Sequence, residues 1–395
     1  MTTSIGIGFS NNPNPQKAAF ETAQQAASTL PSTKANFAIL FVTIHYDPKI
    51  LLPIIADILE TTNIIGCSTA AVISSDKAHL EGVSLLAVES TDINFCLQAS
   101  DPINALNARE QGFMLAQNCI KDFKGHTRNS FLCLIDGLLQ EKSPFIRGLQ
   151  EGFGNVFPIV GAGSCDDFHL KQSFQIHNTK VLTASACGIL FGGNSSIGTG
   201  SRHGWRPLGK PRIVTDVQNS IIKTIDNQPA ASFLENFFDI PIEQLISSDN
   251  IKASILYPLG IHVEENNEYL LRNILKVYRD GSILCQGDVE VGSEIHVMIG
   301  NKDTCKDAAK LAATEAKRTL MGKQAKFVLL FESMARLKLF GHYFSEELIE
   351  IKNVFGPDVP IWGMCSDGEI CPFQINERFK QPLLQNASVS ILAIS

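Results

Sequence analysis

Three stretches of the chain repeat one arrangement of apolar and polar positions. Each begins with consecutive apolar residues: FAILFVTIH at 37–45, SFLCLIDG at 130–137 and FVLLFES at 327–333. Runs this rich in Val, Ile, Leu and Phe predict strands buried on both faces. The segments PKILLPIIADILE, KSPFIRGLQEGF and FSEELIEIKNVF follow and predict helices. Next come IIGCSTAAVI at 64–73, IVGAGSCDDF at 159–168 and IWGMCSDGEI at 361–370, in which a Gly after apolar residues predicts a tight turn. A last apolar strand closes each repeat: GVSLLAVE, ACGILFGG and ASVSILAI. The pattern predicts an α/β fold, two domains built from repeated β-α-β-turn-β units around mixed sheets.

The first two repeats lie in a predicted domain at 1–201. A connector is expected at 202–211, where Gly204, Pro207, Gly209 and Pro211 cluster. The second domain, 212–395, opens with a hairpin around Gln218-Asn219 and a helix near Pro229. An Asp280-Gly281 turn and a helix in DTCKDAAKLAATEAKRTLM, capped by Asp303 or Thr304, lead into the third repeat.

Composition narrows the function. A charged fraction of 18% against 44% hydrophobic residues excludes a disordered chain. A formal charge of -7 with no basic stripe gives no reason to bind nucleic acid. No apolar run is long enough to insert in a membrane. The opening MTTSIGIGFSNNPNPQKAAF lacks a basic and an apolar signal region, so a cytoplasmic protein is expected. The ten cysteines form no CxxC or CxxCH pattern and read mostly as small buried hydrophobes.

In such layouts ligands gather at the carboxyl ends of strands. The polar groups placed there are Cys67, Ser68, Thr69, Ser164, Asp166, Asp167, Ser366, Asp367 and Glu369, with His45, Asp136 and Glu332 at the ends of the first strands. The adjacent Asp166 and Asp167 point apart on an extended chain. No GxSxG, Walker A, HExxH or GxGxxG motif occurs, so an enzyme is not expected.

Longer segments carry a family resemblance. GTGSRHGWRPLGKPRIVTDVQNSIIKTIDNQPA resembles the joint between the N- and C-terminal domains of the FIST family. IIGCSTAAVI, GAGSCDDF and WGMCSDGEICPF resemble its three turns, and DVEVGSEI and ESMARLKLFG also fit. Two departures stand out: no Cys occurs near Glu332 or Ser333, and Cys165 stands where a small residue is usual. The resemblance implies a sensory module that binds a small molecule and regulates a histidine kinase or a cyclic-di-GMP enzyme; a homo-oligomer is left open. A stand-alone subgroup of similar length binds haem b and senses nitric oxide.

Haem needs an axial ligand, and His45, His203 and His342 are the candidates, with His45 and His203 ranked first as metal ligands. Trp205 and Arg206, beside His203, could pack a porphyrin and pair a propionate. The alternative is an amino acid or similar metabolite, with Asp166, Asp167 or Glu369 accepting from an amine and Arg206 or Arg336 pairing a carboxylate. A third reading is a thiol- or metal-dependent redox sensor using Cys365 and Cys371, with Cys67 nearby.

Overall fold

A computed structural model describes residues 3–74, 76–246, 255–263, 268–374 and 380–395. It contains the predicted unit three times. The first unit holds strands Thr3–Ser10, Phe37–Thr43, Ile64–Thr69 and Val83–Ser90 with helices Pro15–Ala27 and Pro48–Ile58. The second holds strands Ile93–Ala99, Arg128–Asp136, Ile159–Ser164 and Ala186–Gly193 with helices Ala108–Asp122 and Lys142–Phe153. The third holds strands Ile197–Arg202, Phe327–Ser333, Ile361–Ser366 and Val389–Ile394 with helices Lys302–Thr319, Met334–Phe340 and Phe344–Phe355. Within each unit the second and third strands pair in parallel and the others antiparallel.

The units exchange ribbons in a ring. The first unit's ribbon, Ala71–Ile73 with Ala78–His79, completes the third unit's sheet. The second unit's ribbon, Gln175–His177 with Lys180–Leu182, completes the first unit's sheet. The third unit's ribbon, Glu369–Gln374 with Lys380–Gln385, completes the second unit's sheet. Each sheet therefore has six strands in the same relative order.

The inner faces of all three sheets meet in one apolar core, where Phe41 stacks on Trp362 at 4.4 Å and packs edge-on to Phe331. Helices cover the outer faces, each over its own cluster. This is why the central strands are apolar along most of their length: Phe37–Thr43 and Phe327–Ser333 are buried throughout, with polar residues only at their carboxyl ends.

The repeated glycines Gly66, Gly161 and Gly363 were expected in turns; they lie inside the third strand of each unit. A Cβ on any of them would collide with the paired carbonyl of Leu40, Cys133 or Leu330, so Gly is required for close strand approach.

Between strand Ile197–Arg202 and helix Lys302–Thr319 the chain makes an eight-stranded sheet with helix Ala230–Phe238 over its own core. Residues 202–211 end one strand and begin another, Arg206–Gln218, with Gly209 at φ +80° where the register shifts. The hairpin at Gln218-Asn219 and the turn at Asp280-Gly281 form as expected. Helix Lys302–Thr319 is capped by Asn301, whose side chain accepts from the Thr304 N–H, rather than by Asp303 or Thr304. Among the described residues no helix is long and apolar enough to cross a membrane.

Candidate ligand cleft

The three turns after the third strands meet one another at the centre of the ring. Ala70 N–H donates to Cys365 C=O at 3.3 Å, Cys165 N–H to Ser68 C=O at 3.2 Å and Asp367 N–H to Gly163 C=O at 3.1 Å. Thr69 Oγ1 and Cys165 Sγ both donate to Cys365 C=O. Ser68 Oγ accepts from Phe174 N–H, and the Cys67 thiol donates to Met364 Sδ. These strand ends close on each other, which leaves Cys67 and Ser68 buried in protein contacts.

The carboxylates of the turns are likewise engaged. Glu369 is enclosed and accepts from Ser366 Oγ, Ser388 N–H and Ser388 Oγ; burial pushes its carboxyl up to about 8. Asp136 accepts from Leu138 N–H, Ser173 Oγ and Ala184 N–H. Asp166 accepts from the N–H groups of Leu170, Lys171 and Gln172, while Asp167 is half-buried beside His169 at 3.8 Å. The two aspartates do point apart.

Arg336 is also fully buried. Its guanidinium donates to His203 C=O, to Cys305 C=O at 2.9 Å and to Glu347, with Glu332 at 3.0 Å. Burial pushes Glu332 up to about 7 against the attraction of Arg336. The Arg336 fork is occupied by protein groups. Arg206 is exposed at the start of its strand.

Of the candidate axial ligands, His203 is half-buried with both ring nitrogens used: Nδ1 accepts from Trp205 N–H at 2.9 Å and Nε2 donates to Tyr269 C=O at 3.1 Å. Burial, helped by Arg336, holds it down at about 4. The Trp205 indole donates to Leu256 C=O and packs on Gly300, so it belongs to the same joint. His45 lies at the first unit's strand end, with Nδ1 3.3 Å from Thr43 Oγ1 and Nε2 3.7 Å from Glu81. It does not face the cleft described next.

That cleft, of about 820 Å³, opens where all three units meet the inserted sheet. The first unit's ribbon supplies Lys77, Ala78 and Leu80. The second unit supplies Phe168 and Leu170. The third supplies Met334, Leu337, Lys338, His342 and Phe344, and the inserted sheet supplies Ile255, Ile274 and Leu275. His342 sits on the 3-10 turn Gly341–Tyr343, and its ring has no bonding partner among the described residues. Asp367 is the one predicted strand-end group that lines the cleft. Gln286 Nε2 holds its Oδ1 at 2.9 Å, and Oδ2 has no partner among the described residues. Beside it Asn273 gives its Nδ2 to Gln286, while its buried Oδ1 is unpartnered. Behind this floor the enclosed Lys142 donates to Gly137 C=O and Leu139 C=O; burial lowers its ammonium, and Asp367 and Asp136 oppose that.

Phe168 and Leu170 have φ of +70° and +53°, conformations that bulky residues rarely adopt. Asp166 holds them there by taking three successive N–H groups. Asp166 is thus a positioning residue for the cleft wall rather than a ligand contact. The cysteines of the third turn do not meet: Cys365 packs in the cluster under the third unit's helices, whereas Cys371 lies in the central core, donates to Gly200 C=O at 3.7 Å and is pushed up to about 12 by burial. All ten cysteines are free thiols, and among the described residues no three metal-ligating side chains converge.

Lys77, Phe168, Asn273 and Lys142 were not singled out from the sequence. Leu80 and Leu170 could have been noticed as large apolar residues in otherwise polar loops; both are exposed at the cleft mouth.

Comparison with known proteins agrees with this architecture. The FIST N domain family matches residues 36–228 and the FIST C domain family residues 230–372, and the boundary falls inside the inserted sheet. An uncharacterized protein of Mycobacterium tuberculosis (strain CDC 1551 / Oshkosh) is 23% identical over 376 residues, 93% of this chain and 94% of that protein. An uncharacterized protein of Mycobacterium bovis is 22% identical over 381 residues, again 93% and 94%. Among solved structures, a cyanuric acid hydrolase from A. caulinodans aligns over 100% of this chain and 99% of its own at 6% identity, TM-score 0.38. A Thermotoga maritima phosphoribosylformylglycinamidine synthase II aligns at 11% identity, TM-score 0.23, over 99% and 72%. No activity is carried over from either.

Proposed function

The chain belongs to the FIST family of small-ligand sensing signal-transduction domains, and from that premise we propose that it is a haem-binding nitric oxide sensor with the four-sided cleft as its sensory site. One observation carries the reading: an apolar cleft of about 820 Å³ with an unpartnered imidazole, His342, on its wall. That volume is within the roughly 300–1,000 Å³ usual for small-molecule and cofactor sites. Leu80, Phe168, Ile274, Leu275, Met334 and Leu337 offer apolar faces to a porphyrin. Lys77 and Lys338 at the mouth offer cations to its carboxylates. Haem b held there would supply an iron centre that binds nitric oxide.

The chain's own residues supply a route outward. His342 sits on the turn between helices Met334–Phe340 and Phe344–Phe355. Arg336 on the first helix and Glu347 on the second are bonded, and Arg336 also holds His203 C=O and Cys305 C=O. His203 in turn holds Tyr269 of the inserted sheet. A displacement of the His342 turn therefore strains the joint between the third unit and the inserted sheet, and that joint is where a partner histidine kinase or cyclic-di-GMP enzyme would read the signal.

The test is an absorption spectrum of the protein with haem before and after nitric oxide. A stoichiometric Soret band that moves with nitric oxide, and that His342→Ala shifts or removes, is expected. Refusal of stoichiometric haem overturns the reading.

The polar floor favours a second ligand class. Asp367 Oδ2 and Asn273 Oδ1, both unpartnered, would accept from an ammonium group, and Lys77 would pair a carboxylate, as in an amino acid. A colourless protein whose melting temperature rises with an amino acid, and not in Asp367→Asn, would identify this class.

A further inference from the structure

The turn that carries His342 has the build of a flap. Gly341–Tyr343 is a single 3-10 turn with no buried residue, set between two anchors, Phe340 and Phe344. Both phenylalanines are buried under the third unit's helices and meet edge-on at 6.4 Å. The buried Arg336–Glu347 pair clamps the segment at its base. Gly341 N–H donates to Leu337 C=O and Phe344 N–H to Gly341 C=O, and these two bonds hold the turn in place. Gly341 has φ +53° and ψ -122°, a conformation open to glycine and to few other residues. A Cβ there would meet nothing within 4 Å. The backbone, and not a neighbour, demands glycine at this position.

Gly341 and His342 line the cleft, whereas Tyr343 is 55% exposed and lies under a cation. Lys302 Nζ is 3.8 Å from its ring centroid, the distance of a cation–π contact. Lys302 is the first residue of helix Lys302–Thr319, after the cap Asn301. The helix dipole disfavours a cation at that end, so the helix gains nothing from Lys302 electrostatically, and its contact is with the turn. Lys306 on the same helix reaches Glu346 at 3.0 Å, just past the turn, as a second tie. We propose that Gly341–Tyr343 is a flap over the cleft, hinged at Gly341 and latched by Lys302 on the Tyr343 ring, and that release of this latch lets the ligand in and out.

The proposal rests on the cleft as the ligand site and holds for either ligand class. A cation–π contact at an exposed position is weak, so the flap opens without help, and loss of the latch raises the open fraction by about two- to fivefold. Neither Lys302 nor Tyr343 lines the cleft, so their replacement leaves the ligand's own contacts in place. Entry and exit therefore quicken together while affinity holds. A residue that merely supported the fold would lower stability or affinity instead.

The test is amide hydrogen exchange of the full chain without ligand, read at Gly341 and Phe344, whose N–H groups the closed turn bonds. Lys302→Gln and Tyr343→Leu should each exchange about two- to fivefold faster there with an unchanged urea midpoint. Tyr343→Phe keeps the ring and should match wild type. Entry and exit are then timed by stopped flow with two probes, hemin and the apolar dye 8-anilinonaphthalene-1-sulfonate. Both rates should rise by the same factor, with affinity within about twofold of wild type. Unchanged exchange, or faster exchange with unchanged rates for a bound probe, overturns the flap. Refusal of hemin with faster passage of the dye counts against the haem reading and supports the flap; refusal of both probes overturns the flap together with the cleft.

Discussion

The Arg336 guanidinium bonds the Glu347 carboxylate with neither side chain exposed to solvent. Such a pair is dear to break and cheap to replace, because removing one partner strands a buried charge. Arg336→Ala should lower unfolding free energy by about 3–5 kcal/mol in urea titration. Glu332, raised to about 7, can discharge by taking a proton, so part of this loss should return at lower pH. The paired replacement Arg336→Met with Glu347→Leu should be closer to wild type than either single change.

Stability should fall as pH rises from near neutral to about 8. Glu369 and Glu332 have folded values of about 8 and about 7 against an ordinary 4.5. Between those values the folded state binds more protons than the unfolded one, so each group costs stability with a slope approaching about 1.4 kcal/mol per pH unit. His203, lowered to about 4 from 6.5, acts oppositely: its stabilising neutrality grows as pH rises from about 4 to 6.5 and is complete above that. Above pH 6.5 His203 no longer contributes to the slope, while both carboxylates still do. Denaturation midpoints at pH 6.5 and 8.5 should differ in the wild type and much less in Glu369→Gln.

Asp166 and Asp167 separate cleanly. Asp166→Ala removes the acceptor for three N–H groups and releases Phe168 and Leu170 from their left-handed conformations. The unpaired groups should cost about 1–3 kcal/mol of stability. With the wall displaced, ligand affinity should drop about tenfold for each 1.4 kcal/mol lost from the bound geometry. Asp167→Ala, on the surface, should leave both unchanged. Urea titration with ligand titration on the same samples checks the pair of results.

The repeated units were legible because their signal is local. Strands buried on both faces read as near-continuous apolar runs, and 37–42, 131–135 and 327–331 are such runs. The ribbon exchange was not legible, since Ala71–Ile73 and Gln175–His177 carry nothing that says which sheet they will join. That omission hid the closure of the strand ends. Without the exchange, Ser68, Asp166 and Glu369 read as open strand ends; with it, the neighbouring turns close over them. The cleft forms instead where Lys77, Phe168, Asn273 and His342 converge from four distant parts of the chain. His203 misled for a related reason: its neighbours Trp205 and Arg206 suggested a porphyrin pocket, but the motif is a joint that uses both imidazole nitrogens.

The two histidines give the sharpest division between architecture and sensing. His342 has an exposed ring on the cleft wall, bonded to nothing among the described residues. His342→Ala should leave the urea midpoint within about 0.5 kcal/mol of wild type, as for other exposed positions. The same change should abolish or shift the haem spectrum. His203→Ala should do the reverse. It leaves Trp205 N–H and Tyr269 C=O without partners at a buried joint, costing about 1–3 kcal/mol for each stranded group. Bound haem should keep an unchanged Soret position in that variant, because its ring lies outside the cleft. Urea titration and absorption spectra of both variants check the pair. Loss of the Soret band in His203→Ala with retention in His342→Ala would move the ligand from the cleft to the joint.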